Sequence, residues 1–196
     1  MESEISAEDR RWRVRFPNLY RAQPFSWGGI GDSRLQIQFS RQVPPDELIS
    51  NVKVIGRCNG GIAVFETEQG WRNVPGGTRE AGETLAEAAD RELYEEVGGR
   101  LTGPLEWVGA FRVEHSAAGH NLPHLPFPIS YWAYTSAEIE LVAQPTNPED
   151  GEQVTTVQVL PIDEAIAFLS VFDDGPLLDA VKLARALELD APADTR

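Results

Sequence analysis

Three carboxylates crowd one short stretch of the chain: Glu92, Glu95 and Glu96, within ELYEE. At the spacing i, i+3, i+4 they become neighbours if the segment is helical. With Glu92 at zero and about 100° per residue, Leu85, Ala88, Ala89 and Glu96 fall within roughly 60° of it. Ala86, Leu93 and Val97 widen that side, while Glu87, Asp90, Arg91 and Tyr94 take the other and Glu95 sits at the border. A helix that turned its apolar side inward would therefore carry Glu92 and Glu96 toward a core. Like charges at this spacing repel. Burying one costs several kcal/mol unless a partner offsets it. Arg91 is the cation within reach, and its spacing aims it at Glu87 and Glu95. Hard oxygen donors on one rigid face suit a divalent cation, Mg²⁺ or Mn²⁺, that can in turn hold phosphate oxygens. The alternative is an ordinary solvated charge run on an exposed helix.

Such a platform needs a framed helix. Thr84 opens T-L-A-E, a capping-box pattern with Glu87 at its fourth place. Gly98 and Gly99 supply the stop, where a positive φ is wanted. Pro75, Gly76 and Gly77 precede it, and the two glycines let a ligand or metal approach the backbone closely. Glu83 closes that loop just ahead of the cap.

Around this unit the pattern is mostly strands. Ser33–Arg41 alternates, with Leu35, Ile37 and Phe39 on one side. Asn51–Cys58 and Gly61–Glu68 read as a hairpin about Asn59-Gly60. A short strand follows at WRNV, then Leu105–His115, Ile129–Leu141 and Thr155–Pro161 beyond the helix. Ile162–Ser170 and Leu177–Leu189 have helical spacing. Strands enclosing one helix and ending in helices predict a mixed α/β sandwich. Residues 1–45 read as an N-terminal arm, 46–190 as the domain and 191–196 as a tail. The arm could pack on the sheet or form a homodimer contact.

The net charge of −14 disfavours an extended nucleic-acid surface but not a small phosphate-bearing ligand held through a cation. The single cysteine allows no intramolecular disulfide and no cysteine-rich metal site. No apolar run reaches membrane-spanning length, and the charged N-terminus lacks a signal core. A cytoplasmic protein without a membrane partner is expected.

Gly77, Glu83, Arg91-Glu92-Leu93, Glu95-Glu96 and Gly98 stand at the spacing G-x5-E-x7-R-E-U-x-E-E-x-G-U, with U a bulky aliphatic. From Gly77 to Gly98 this resembles the Nudix box, and it departs only at the last position, where Gly99 replaces the aliphatic residue. The resemblance implies a Nudix-type α/β/α sandwich with a mixed sheet and a loop-helix-loop catalytic motif. It also implies hydrolysis of a diphosphate linked to another group by water attack on phosphorus. By position, Glu92, Glu95 and Glu96 would be metal ligands, with the Gly76 carbonyl as a fourth. Arg91 would orient Glu83 or Glu95. One of these carboxylates, or one from a later loop, would be the general base. Glu114 and His115, at the end of a predicted strand, are candidates for contacting the substrate or metal-bound water, as is Gly77 for the substrate; Trp71 and Trp107 could stack on a base. His120 and His124 lie in the next loop. Pro126, Phe127, Pro128 and Ser130 coincide with half of the array found in Nudix NADH diphosphatases, but the other half and a four-cysteine ribbon are missing. A nucleoside di- or triphosphate, or a nucleotide sugar, is the expected substrate. A nucleotide-sensing module on the same fold is the alternative from another class; it would be expected to have lost box carboxylates, and here all are present. An isomerase on the fold would need a catalytic cysteine, and Cys58 lies in a predicted strand.

Overall fold

The computed structural model describes residues 7–25, 35–115, 123–148, 153–171 and 175–190. Among them are nine strands and four α-helices. In chain order they are α1 (Ala7–Arg15), β1 (Gln23–Phe25), β2 (Leu35–Ser40), β3 (Ile49–Cys58), β4 (Gly61–Thr67), β5 (Arg72–Asn73) and α2 (Leu85–Val97). Then come β6 (Gly99–Leu101), β7 (Glu106–His115), β8 (Ile129–Leu141), β9 (Val154–Leu160), α3 (Ile162–Leu169) and α4 (Pro176–Asp190). The sheet runs β1-β2-β7-β8-β3-β4-β5, with β6 added on β8 and β9 on β4. It is mixed, because β3 and β8 pair parallel while the other pairs are antiparallel.

The β3–β4 hairpin turns on Asn59 (φ 48°) and Gly60 (φ 77°), two left-handed residues that suit the sheet's twist. β3 pairs β4 at Arg57 and Cys58, and its earlier residues take the glycine loop as partner. Val52 N–H donates to Gly77 O at 3.0 Å and Val54 N–H to Pro75 O at 2.7 Å. Gly76 has φ 142°, and a side chain there would strike the Val52 carbonyl. Only glycine fits so close a backbone approach.

Alternation along β3 divides the core. Val52 and Val54 face α2, which packs Ala88, Ala89, Leu93 and Val97 over them with Phe65, Ala137 and Ile139. Ile55 faces the other way, with Ile62, Val64, Phe111 and Tyr134, beneath α3 and α4. Residues 7–25 belong to this second core. Trp12 is 2% exposed, and Leu19 and Tyr20 are buried with it. Rings continue inward edge-on from Tyr20 to Phe39, Phe111 and Tyr134. Residues 7–25 and 35–40 thus share the packing of the sheet. Helix α1 was not expected, for AEDRRWRVR has no apolar stripe; among its described side chains Trp12 is the apolar one that is buried.

No helix among the described residues is long and apolar enough to cross a membrane.

Candidate active site

Local rules place α2 firmly. Thr84 Oγ1 accepts from Glu87 N–H at 3.2 Å, and Glu87 Oε2 accepts from Thr84 N–H at 2.8 Å, which completes the capping box. The bonds that its carboxylate accepts, from the Thr84 backbone N–H first and the Thr84 hydroxyl second, hold the Glu87 carboxyl below the usual carboxylate range. At the far end Gly98 adopts φ 65° and closes the last turn onto Tyr94 O. The chain after β8 clasps the same end: Val142 and Ala143 N–H both donate to Gly98 O, and Thr146 N–H to Glu95 O.

The buried face of α2 is Ala88, Ala89, Glu92, Leu93, Glu96 and Val97, so two glutamates do lie among apolar residues. Ala86, expected on that side, is exposed. Glu96 Oε2 accepts from the Gly76 N–H at 2.7 Å. The Glu92 carboxylate sits against Gly77, where any side chain would collide with it. Burial pushes the Glu92 carboxyl above its ordinary range, although Arg91 and Lys53 draw it back.

Arg91 gathers the rest. It makes a bidentate pair with Glu83, from Nε to Oε1 at 2.8 Å and from Nη2 to Oε2 at 3.2 Å. Nη1 reaches Glu92 at 2.8 Å and Glu95 at 3.4 Å, and Nη2 donates to Thr78 O at 2.9 Å. The hydrogen bonds to Arg91 hold Glu83 below the normal carboxylate range. Arg91 does not bond Glu87, as its spacing suggested, because Glu87 is committed to the cap.

The Gly76 carbonyl, expected as a fourth metal ligand, accepts from Lys53 Nζ at 2.5 Å. Alternation on β3 sends Lys53 to the face opposite α2, which reaches this oxygen from behind. Sequence reasoning missed Lys53. Its one signal was a cation standing between the apolar residues of NVKVIG.

Among the described residues no three carboxylate, histidine or cysteine side chains converge as a ready-made metal site. Glu83, Glu92 and Glu95 are turned to Arg91, and Glu96 to the Gly76 N–H. The donor set nonetheless suits a hard divalent cation. Four carboxylates, Glu83, Glu92, Glu95 and Glu96, share one face of α2 and its approach loop with the guanidinium of Arg91, the ammonium of Lys53 meets that loop from the other side of the sheet, and two of the four are buried.

Glu114 and His115 are not brought to this cluster. Glu114 lies four rungs beyond Ala110, whose rung continues through Ala133 to Val52. Four strand residues span about 13 Å. Glu114 pairs with Arg112 at 2.9 Å. His115 is buried, with Nε2 3.2 Å from Ser130 Oγ and its ring 6.2 Å from that of Phe127. His124 is exposed, and His120 lies outside the described residues. Trp71 is solvent-facing, while Trp107 donates its indole N–H to Arg41 O at 2.9 Å. An open groove of about 410 Å³ runs along the outer side of α2, past Asp90, Arg91, Tyr94, Glu95 and Arg100. Arg100 there is already stacked on Tyr94 and paired with Asp90.

Gly99 settles its departure from the box. It is an extended residue of β6 pairing with Leu141. A Cβ on it would stand 3.3 Å from Val97, 3.5 Å from Leu141 and 3.6 Å from Ile139, so neighbouring aliphatic side chains fill that volume.

Fold and site together define an α/β/α sandwich that hangs a carboxylate-faced helix beside a glycine loop on the central parallel strand. The NUDIX domain profile matches residues 51–181, and the chain belongs to the NUDIX family. Solved structures share the fold. The Bacillus subtilis pyrophosphohydrolase BsRppH, crystallised as a point mutant, superposes with a TM-score of 0.58 at 21% identity, over 84% of this chain and 97% of that one. A NUDIX hydrolase from Nitrosomonas europaea gives 0.52 at 18% identity, over 76% and 95%. The E. coli ORF135 protein gives 0.50 at 21% identity, over 73% and 94%. No curated protein matches the chain.

Proposed function

We propose that this Nudix enzyme hydrolyses the diphosphate linkage of a nucleoside diphosphate derivative, either a nucleoside di- or triphosphate or a nucleotide sugar, with Mg²⁺ or Mn²⁺. The observation that carries the reading is the buried face of α2, where Glu92 and Glu96 stand among alanines and leucine beside Glu95. These three residues would hold the cation. When bound, it would neutralise charge on the phosphoryl oxygens and acidify the attacking water. The chain's own groups prepare the site. Gly76 N–H fixes Glu96, and Arg91 ties Glu83, Glu92 and Glu95 into one orientation. Gly77 keeps the space in front of Glu92 open. The Bacillus subtilis relative is named a pyrophosphohydrolase, which agrees with this class of reaction.

The test is phosphate release from a panel of nucleoside di- and triphosphates and nucleotide sugars, with Mg²⁺ and with Mn²⁺, beside Glu96→Gln. Metal-dependent turnover that this variant loses is the expected result. Thermal stabilisation by nucleotides with no turnover on any compound would instead make the protein a sensor.

A further inference from the structure

The carboxylates of α2 and its approach loop outnumber the cations set against them. Arg91 serves Glu83, Glu92 and Glu95 directly. Arg79 is committed to Asp46 and to the Glu83 carbonyl. Lys53 differs from both. It shares its rung with Tyr134 of β8, which lies in the core beneath α3 and α4, so its side chain leaves the sheet on the face away from α2. Its hydrogen bonds go to carbonyls, Gly76 O at 2.5 Å and Val74 O at 3.5 Å, and among the described residues it forms no ion pair. Gly76 alone separates this half-buried ammonium from Glu96, since the same residue's N–H holds that carboxylate at 2.7 Å.

An ammonium taken from water normally grips a carboxylate. This one stands behind a peptide and takes none of the carboxylate oxygens. Its charge is felt all the same. Burial pushes the Glu92 carboxyl up, and the charges of Arg91 and Lys53 work against that push. Coulomb attraction falls only with the inverse of distance, so a charge several Å away in a partly buried place still counts. The field that draws the glutamates toward Lys53 also opposes any cation that enters among them. Binding and stability are coupled reciprocally. What Lys53 contributes to the metal-free cluster is therefore withheld from the metal-bound one.

We propose that Lys53 is a resident counter-charge for this site: it supports the metal-free carboxylate cluster and, through the same charge, limits how tightly that cluster holds a divalent cation. The proposal rests on the reading that Glu92, Glu95 and Glu96 hold the cation, and it adds a residue outside the box that sets the affinity. The loop and the helix can thereby assemble before the ion arrives, and the ion stays exchangeable. Arg91 and Lys53 divide the work. The guanidinium grips carboxylate oxygens and orients them. The ammonium lends charge from behind the loop without claiming a ligand.

Three substitutions test it. Lys53→Met removes the charge and keeps the bulk, Lys53→Gln removes the charge and keeps a hydrogen-bond donor, and Lys53→Arg keeps the charge. Mn²⁺ titration of the full chain, followed by electron paramagnetic resonance, should show binding tighter by about tenfold or more in both neutral variants, and within about twofold of wild type in Lys53→Arg. In EDTA the neutral variants should melt below wild type, and saturating Mn²⁺ should raise their melting temperatures by more than it raises that of wild type. Lys182→Met takes the same charge from α4, where Lys182 pairs with Asp179, and should leave Mn²⁺ affinity within about twofold. A side chain that only packed or positioned the loop would lose metal affinity and stability together, so the opposite signs are the mark of a counter-charge. Unchanged or weaker Mn²⁺ binding in the neutral variants overturns the proposal and leaves the metal reading standing, as does equal tightening in Lys182→Met. A wild type that binds no Mn²⁺, or that binds it as well after Glu96→Gln, overturns the metal reading and the proposal with it.

Discussion

Two helices of this protein bury carboxylates, and they do it differently. On α1, Asp9 is 3% exposed and accepts from Ser40 Oγ and Arg41 N–H, each at 2.9 Å. Those bonds tie α1 to the end of β2. On α2, Glu92 and Glu96 are each 8% exposed and stand within one turn of Glu95. Asp9 has donors built for it, which makes it a fastening. The α2 glutamates crowd like charges into one place, an arrangement that stability alone does not favour. Burial by itself does not distinguish the two cases; the company of other carboxylates does.

That contrast can be broken by experiment. Glu95→Gln or Glu96→Gln should lower metal-dependent turnover by about a thousandfold or more, several kcal/mol of transition-state stabilisation, in a protein that melts cooperatively near the wild-type temperature. A comparable loss of turnover from Asp9→Asn, measured per folded molecule, would erase the distinction. Trp12→Ala should destabilise the fold by about 3 kcal/mol or more in urea melts while turnover per folded molecule holds. Asp9→Ala strands the Ser40 and Arg41 donors and should cost about 1–3 kcal/mol, again without touching turnover. Thr84→Ala removes half of the capping box and should cost about 1 kcal/mol.

The other half of that box adds a pH signature. Because the Glu87 carboxyl is held low in the folded protein, its contribution is fully present above the unfolded value of about 4.3 and fades as pH falls through the lower folded value. The stability gap between wild type and Glu87→Gln should therefore close in acid, as melts at neutral pH and near pH 3 would show. A gap that persists would mean that charge is not what Glu87 supplies.

The two regions also differed in how far their sequences could be read. α2 announces itself through its cap, its period and its glycine stop, and all three hold in the fold. α1 gives no period, because one tryptophan and the turn residues Leu19 and Tyr20 behind it do the packing. β6 is three residues long and gains its place only by pairing with β8. At the site, the spacing of the box carried Glu83, Arg91, Glu92, Glu95 and Glu96 to one place. Lys53 reaches Gly76 across 23 residues, a contact made by strand alternation and loop pairing, which no local pattern reveals. Glu114 stands at a plausible distance along the chain, yet sheet register carries it several rungs away.

The parallel pairing of β3 with β8 also governs when the site can exist. Lys53 O accepts from Thr135 Oγ1, 82 residues further along the chain. Closing so long a loop is entropically slow, and the local turns of the β3–β4 hairpin and α2 can form well before it. The box helix can thus be wound and capped while the floor beneath its glutamates is still half built. Activity should return during refolding later than helical signal, in step with the long-range zipping of β8 onto β3.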